Sequence, residues 1–341
     1  MNRRAFLELA GLASFSATGR AAGVPAPKLA LACADYLRFT PFATGDYRPK
    51  DLDLTWIRGD RSEMLRRAVS DPEIQGGEAS MLQHLVRVDR GDRSLVAVPV
   101  FPLRNFTARD IYIRKDDAMR AADLSGRRIG VYSWAASGSV WYRHLLRHLG
   151  VDPAKMTWTV GGVDAPSRVS SVAPFPSHVR DAPEGRSLVD LLLAGEVDAV
   201  FAPIPPKSYH PVDGPLARLV PDFRTMEKRY FEETRCYPPQ HVIVLKRDAW
   251  DQDRSVGRRL VDAFDECEAR FQANQHLFPY GPPWLIAEVE ETDLLMGRDY
   301  AMHGLERNRG QVDAFCESAF LDGLTTRRLG VDEFFSEYLA A

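Results

Sequence analysis

Ser94-Leu-Val-Ala-Val-Pro-Val-Phe-Pro-Leu-Arg-Asn-Phe-Thr-Ala-Arg-Asp-Ile-Tyr-Ile113 decides how this chain is divided. Leu95 to Phe101 is an apolar run of the length and composition of a buried strand, and Pro102 ends it. A basic and aromatic patch follows at Arg104, Phe106 and Arg109, and Ile111-Tyr-Ile113 reads as a second strand. A buried strand that delivers an arginine to an irregular turn is a way to build an anion site. The guanidinium fork matches a carboxylate in two parallel hydrogen bonds. The stretch therefore reads as the last core strand of a first lobe, a turn that binds a small acid, and a crossing to a second lobe. On local sequence alone Arg104 also fits an ordinary surface arginine.

Outward from that stretch, α/β units lie on both sides. On the amino-terminal side, Lys28 to Cys33 and Asp53 to Ile57 are β-rich strands. Ser62 is placed to cap a helix from Glu63 to Val69, Ile74 to Glu78 is a short strand, and Ser80 opens a helix through Val88. On the carboxyl side the pattern restarts. The segment Leu124 to Val131 ends in a strand, and further strands are expected at Thr157 to Val160 and Val197 to Phe201, with helices at Val140 to Leu149 and Leu188 to Ala194. Pro166 to Arg186 reads as an exposed excursion and Pro203 to Pro215 as a Pro-rich loop. His241 to Leu245 is a strand returning the chain to the first lobe, and helices at Asp251 to Gln275, Gln311 to Leu321 and Val331 to Leu339 finish it. In the first of these helices Val256, Leu260, Ala263, Phe264 and Cys267 form a core-facing stripe.

Strands alternating with helices predict mostly parallel sheets. Two such sets joined by two crossings predict a two-lobed clamshell, with residues 24–113 plus 245–341 in lobe one and 114–244 inserted as lobe two. Ligands in such folds sit outside the carboxyl ends of the strands, in the cleft. That rim is expected to hold Tyr36, Arg38, Glu78, Ser80, Arg104, Ser137 and Pro203 to Lys207, with His241 at a crossing.

Composition narrows the partners. The chain has 341 residues, a net charge of −3 and 45% hydrophobic residues. Lys and Arg are scattered without aromatic interleaving, so nucleic acid is not expected. No apolar run approaches the ~20 residues that span a bilayer. Asn2-Arg3-Arg4-Ala5-Phe6-Leu7, the mild apolar segment after it and Gly19-Arg20-Ala21 resemble a cleaved twin-arginine export signal over residues 1–21. The expectation is a mature protein that is soluble and periplasmic or otherwise exported, after passage through the twin-arginine (Tat) translocase. Cys33, Cys236, Cys267 and Cys316 are too widely spaced for a Cys-x-x-Cys motif. Cys267 and Cys316 could pair in an oxidising compartment, but buried free thiols are preferred. His144 and His148 stand at i, i+4 without a third ligand, so no metal is expected. Phosphate-loop, dinucleotide and Gly-x-Ser-x-Gly fingerprints are absent, and no cofactor is expected.

The chain resembles the 4,5-dihydroxyphthalate decarboxylase-like proteins of the type 2 periplasmic binding protein fold. The resemblance rests on Asp35-Tyr36-x-Arg38, Glu78-Ala-Ser80, Val98-Pro-Val-Phe-Pro-x-Arg104-x-Phe106, Val140-Trp141-x-Arg143, Gly161-Gly162, Pro221-Asp-Phe-Arg224 and Pro238/His241. It implies loss of CO2 from a hydroxylated aromatic acid without redox change. His241 or Glu78 would be the acid, Arg38 and Arg104 would hold carboxylates, and Tyr36 or Trp141 would line the ring. Thr107, Ala108 and Ile204 stand where the family pattern has polar residues. The preferred reading is a receptor that clamps a small, aromatic carboxylate as its lobes close and passes it to an ABC transporter permease of the inner membrane, with the non-oxidative decarboxylase as the alternative. Export and the missing polar residues favour the receptor. The resemblance favours the enzyme.

Overall fold

The computed structural model describes residues 28–169, 171–277 and 281–341. The expected export signal lies outside them. In chain order the strands are β1 (Lys28–Ala34), β2 (Asp53–Gly59), β3 (Gly76–Ser80), β4 (Leu95–Val98), β5 (Ile111–Arg114), β6 (Arg128–Val131), β7 (Thr157–Val160), β8 (Val179–Asp181), β9 (Ala199–Phe201), β10 (Leu216–Arg218) and β11 (His241–Lys246). They form two mixed sheets. The first has the order β2-β1-β3-β11-β4 and the second β10-β5-β9-β6-β7-β8. This is the two-lobed α/β architecture expected from the sequence.

In the first sheet β1 runs parallel to β2 and β3, while β11 lies antiparallel between β3 and β4. Central strands of such sheets are covered on both faces and read as continuous apolar runs. From Leu31 on, β1 is accordingly buried, as are Val242 to Leu245 of β11. Two glycines let β3 enter the middle. A Cβ on Gly76 would lie 2.1 Å from the Val244 carbonyl oxygen, and one on Gly77 2.0 Å from that of Ala32. Gly77 also has φ +151°, a conformation that other residues rarely adopt.

The second sheet corrects the reading of the opening stretch. Ile111–Arg114, expected as a first-lobe strand, pairs antiparallel with β9 and β10. The crossing is therefore complete before Ile111. Leu103 to Asn105 travels beside Pro238 to His241: Asn105 N donates to Pro238 O (3.1 Å), and Gln240 N to Leu103 O (2.8 Å). Other differences are local. Asp60, not Ser62, caps the Arg61–Ser70 helix, accepting from Glu63 N at 3.1 Å. The excursion at 166–186 contains β8, and Phe223–Thr234 and Leu285–Met296 are helices that the periodicity did not reveal.

The carboxy-terminal helices are attached to both sheets. Val256–Leu277 packs its stripe into the first-sheet core, where Val256, Leu260, Ala263, Phe264 and Cys267 are buried with Phe39 and Phe42. Leu305–Leu321 packs against the Ser137–His148 helix of the second sheet. There Arg143 and Asp322, 0% and 1% exposed at the side chain, form an ion pair at 2.6 Å. All four cysteines are buried and free. No helix among the described residues is long and apolar enough to cross a membrane.

Candidate active site

The carboxyl ends of β1 and β3 meet the amino end of β11, because β11 runs antiparallel with His241 opposite Ser80 and Ile243 opposite Glu78. Glu78 and His241 are thereby diagonal neighbours on one sheet face, a spacing that long side chains span. His241 Nδ1 donates to Glu78 Oε1. Tyr36 Oη donates to the same oxygen at 2.6 Å, and Ala34 N and Cys33 Sγ donate to Oε2 at 2.8 and 3.3 Å. Glu78 is fully buried.

Four donors around one carboxylate decide its charge. Burial alone would raise the Glu78 carboxyl, but the hydrogen bond and charge of His241, with Tyr36 and Ala34 N–H, hold it below the ordinary value. Burial and then the Glu78 charge push the Cys33 thiol and the Tyr36 hydroxyl up, so both stay protonated donors. With Nδ1 committed to Glu78, His241 Nε2 has no protein partner among the described residues, and it is not one of the fully enclosed polar atoms. This is a carboxylate-oriented imidazole with one ring nitrogen left for a ligand.

The second sheet closes on this centre through the Ser137–His148 helix. Ser137 Oγ lies 2.9 Å from Ser80 Oγ and accepts from Leu82 N at 3.2 Å. No side chain caps the helix start at Ala136. Gly138 allows the close approach here: a Cβ would stand 3.1 Å from Tyr132 Oη and 3.3 Å from Gln240 Oε1. Gln240 Nε2 in turn donates to Asn105 O at 3.4 Å, tying the site to the crossing.

Of the residues nominated from sequence, Tyr36, Glu78, Ser80, Ser137 and His241 come together. The others lie elsewhere or face inward. Arg104 is 5% exposed and donates to Tyr237 O (3.0 Å), Gln311 Oε1 (3.2 Å) and Asn308 Oδ1. Burial lowers its guanidinium to about 10. Arg38 pairs with Glu268 at 2.6 Å and donates to Ala301 O at 2.9 Å. Trp141 is buried against Phe315, its indole N–H donating to Pro239 O. Phe106 packs on Tyr237 and Tyr230, and Lys207 is exposed on the Pro-rich loop, its backbone N–H donating to Asp164 Oδ1. His144 and His148 bond to Tyr230 and Glu233. Cys33, Tyr132 and Gln240 were not singled out. Their signal was position, since Cys33 ends an apolar strand and Gln240 precedes His241.

No family model matches the chain. Two mixed sheets joined by paired crossings define a periplasmic binding protein fold. The sulphonate-binding protein SsuA of Escherichia coli superposes with a TM-score of 0.50 at 14% identity, covering 90% of this chain and 91% of that one. The alkanesulfonate-binding protein SsuA of Xanthomonas axonopodis pv. citri, bound to MOPS, gives 0.50 at 16% identity, covering 92% and 99%. Curated relatives narrow the class. A 4,5-dihydroxyphthalate decarboxylase of Comamonas testosteroni is 28% identical over 316 residues, 90% of this chain and 96% of the relative. One of Pseudomonas putida is 33% identical over 186 residues, 53% of this chain and 72% of the relative. The chain belongs to the 4,5-dihydroxyphthalate decarboxylase family.

Proposed function

We propose that the protein is a non-oxidative decarboxylase of a hydroxylated aromatic acid, 4,5-dihydroxyphthalate or a near relative. The observation that carries this reading is the Glu78–His241 pair, buried, donor-saturated at the carboxylate and open at Nε2. A receptor needs satisfied polar groups and an aromatic shelf. A carboxylate-backed imidazole with one ring nitrogen unpartnered is suited to moving a proton.

The reaction replaces a carboxylate by a proton. The protonated imidazole delivers its Nε2 proton to the ring carbon bearing the leaving carboxylate, assisted by electron release from the para hydroxyl. The ring–carboxylate bond then breaks, its electron pair restores aromaticity, and CO2 departs. Neutral His241 regains its proton from water. Glu78 holds the ring tautomer and stabilises the imidazolium, as carboxylates do behind catalytic histidines. In this reading Ser80 and Ser137, which meet at 2.9 Å, bond the substrate's oxygens as the lobes close and exclude water. Lobe one is taken as the first sheet with the carboxy-terminal helices, and lobe two as the second sheet.

A second reading has a specific observation behind it. Arg3-Arg4 and the segment after it resemble an export signal, and the fold is shared with solute-binding proteins. An exported receptor delivering an aromatic carboxylate to a permease would use the same cleft. An exported enzyme accommodates the signal equally well, and Tat-dependent periplasmic residence belongs to both readings. Purified protein lacking residues 1–21, incubated with 4,5-dihydroxyphthalate, separates them. The enzyme releases one CO2 per substrate consumed. Thermal stabilisation by the acid without CO2 release establishes the receptor.

A further inference from the structure

With Arg38 and Arg104 engaged by internal partners, an aromatic acid bound at the proposed site needs another cation. Arg61 stands two residues beyond the end of β2, as Tyr36 stands two residues beyond the end of β1. The two strands are parallel neighbours, with Gly59 opposite Ala34, so Arg61 and Tyr36 share the carboxyl edge of the first sheet. Arg61 is exposed, at the first position of its helix, and makes no ion pair or hydrogen bond among the described residues. Its neighbour Arg58 is neutralised by Asp35 at 3.1 Å.

Burial pushes the Tyr132 hydroxyl up to about 12, and the Arg61 charge opposes that rise. The same charge opposes the upward shift that burial and Glu78 impose on Tyr36. Tyr132 follows β6 at the carboxyl edge of the second sheet.

We propose that Arg61 is a specificity-determining residue that holds the carboxylate the product retains. The proposal rests on the decarboxylase reading and adds to it the recognition of a dicarboxylate. A cation on the departing carboxylate would stabilise the ground state and lose that contact as CO2 forms, which slows the reaction. A cation on the second carboxylate is free of that penalty, and its fork fixes the ring orientation. The site then selects aromatic diacids in which one carboxylate anchors while its neighbour faces His241.

The test compares wild-type, Arg61→Gln and Arg61→Lys proteins for binding of 3,4-dihydroxybenzoate and catechol, and for turnover of 4,5-dihydroxyphthalate. Loss of a charge-assisted bond predicts that Arg61→Gln weakens dihydroxybenzoate binding and raises KM about 10- to 100-fold, with kcat within about threefold of wild type. Catechol, which has no carboxylate, binds wild type and variant alike. Arg61→Lys recovers part of the loss, and the melting temperature stays at the wild-type value because the side chain is exposed. Wild-type turnover with unchanged dihydroxybenzoate affinity in Arg61→Gln overturns the proposal and leaves the enzyme reading standing. Absence of CO2 release by the wild type overturns both.

Discussion

At the residue scale, the proposed chemistry rests on a carboxylate that the fold keeps ionised in a buried place. Glu78 accepts from the Ala34 backbone, Cys33, Tyr36 and His241. Its carboxyl is lowered, so the folded state holds the proton less tightly than the unfolded chain does. The stability it supplies is present above the ordinary carboxylate range and is lost as pH falls through the folded value. Glu78→Gln is therefore expected to lower the melting temperature at pH 7 and to shrink that deficit below about pH 4, as followed by circular dichroism. Asp110 has the opposite sign. It is 2% exposed, faces Asn105, Arg109, Glu227 and Arg218, and is pushed up to about 7 by burial. The folded protein is penalised as pH rises toward that value. Asp110→Asn should stabilise more at pH 8 than at pH 5, and equal shifts at both pH values would contradict this. Glu78 and His241 were legible in the sequence because Glu78 lies two residues from the carboxyl end of β3 and His241 begins β11, positions near strand ends where an α/β fold sets residues of its cleft. Their contact was not legible. It depends on β11 pairing antiparallel with β3 across 163 positions. Arg104 shows the converse. A turn arginine reads locally as a ligand for acids, and only the helix carrying Asn308 and Gln311 shows where its hydrogen bonds go.

At the element scale, the stretch from Ser94 to Ile113 was legible as strand, turn and strand, but the sheet to which its second strand belongs was not. Ile111-Tyr-Ile113 is equally apolar in either lobe, and its partners β9 and β10 lie some hundred residues downstream. β8 and β10 have three residues each, too few for alternation to register. The Phe223–Thr234 helix buries only Tyr230 and Phe231, so it presents no apolar stripe. Longer elements with caps were clear, as at Ser187, whose hydroxyl accepts from Asp190 N at 3.1 Å. Two element-level outcomes follow from packing. Gly77→Ala forces a Cβ into the Ala32 carbonyl within the centre of the first sheet. It should cost at least about 4 kcal/mol, or prevent folding, in urea titration. Asp322→Ala strands the buried Arg143 charge between the second-sheet and carboxy-terminal helices. A loss of about 3–5 kcal/mol is expected, and Arg143→Met combined with Asp322→Leu should recover much of it.

At the scale of the whole molecule, the carboxy-terminal helices act as a shared support. They hold Arg38 through Glu268 and Arg104 through Asn308 on the first-sheet side, and Arg143 through Asp322 on the other. The two-lobed plan was legible because two complete α/β sets flank one crossing. This support was not, since apolar stripes in helices do not say which lobe they cover. Tyr36, Glu78 and His241 are joined by hydrogen bonds, and Ser80 and Ser137 meet where the first sheet faces the Ser137–His148 helix. In the proposed reaction His241 Nε2 supplies the proton and Glu78 orients the ring. The most direct test is turnover of 4,5-dihydroxyphthalate by His241→Asn, whose side-chain amide can still donate to Glu78 but has no group at the Nε2 position. Acid binding within about threefold of wild type, with CO2 release slowed by about 10² to 10⁴, is the predicted result. Undiminished CO2 release by that variant would contradict it.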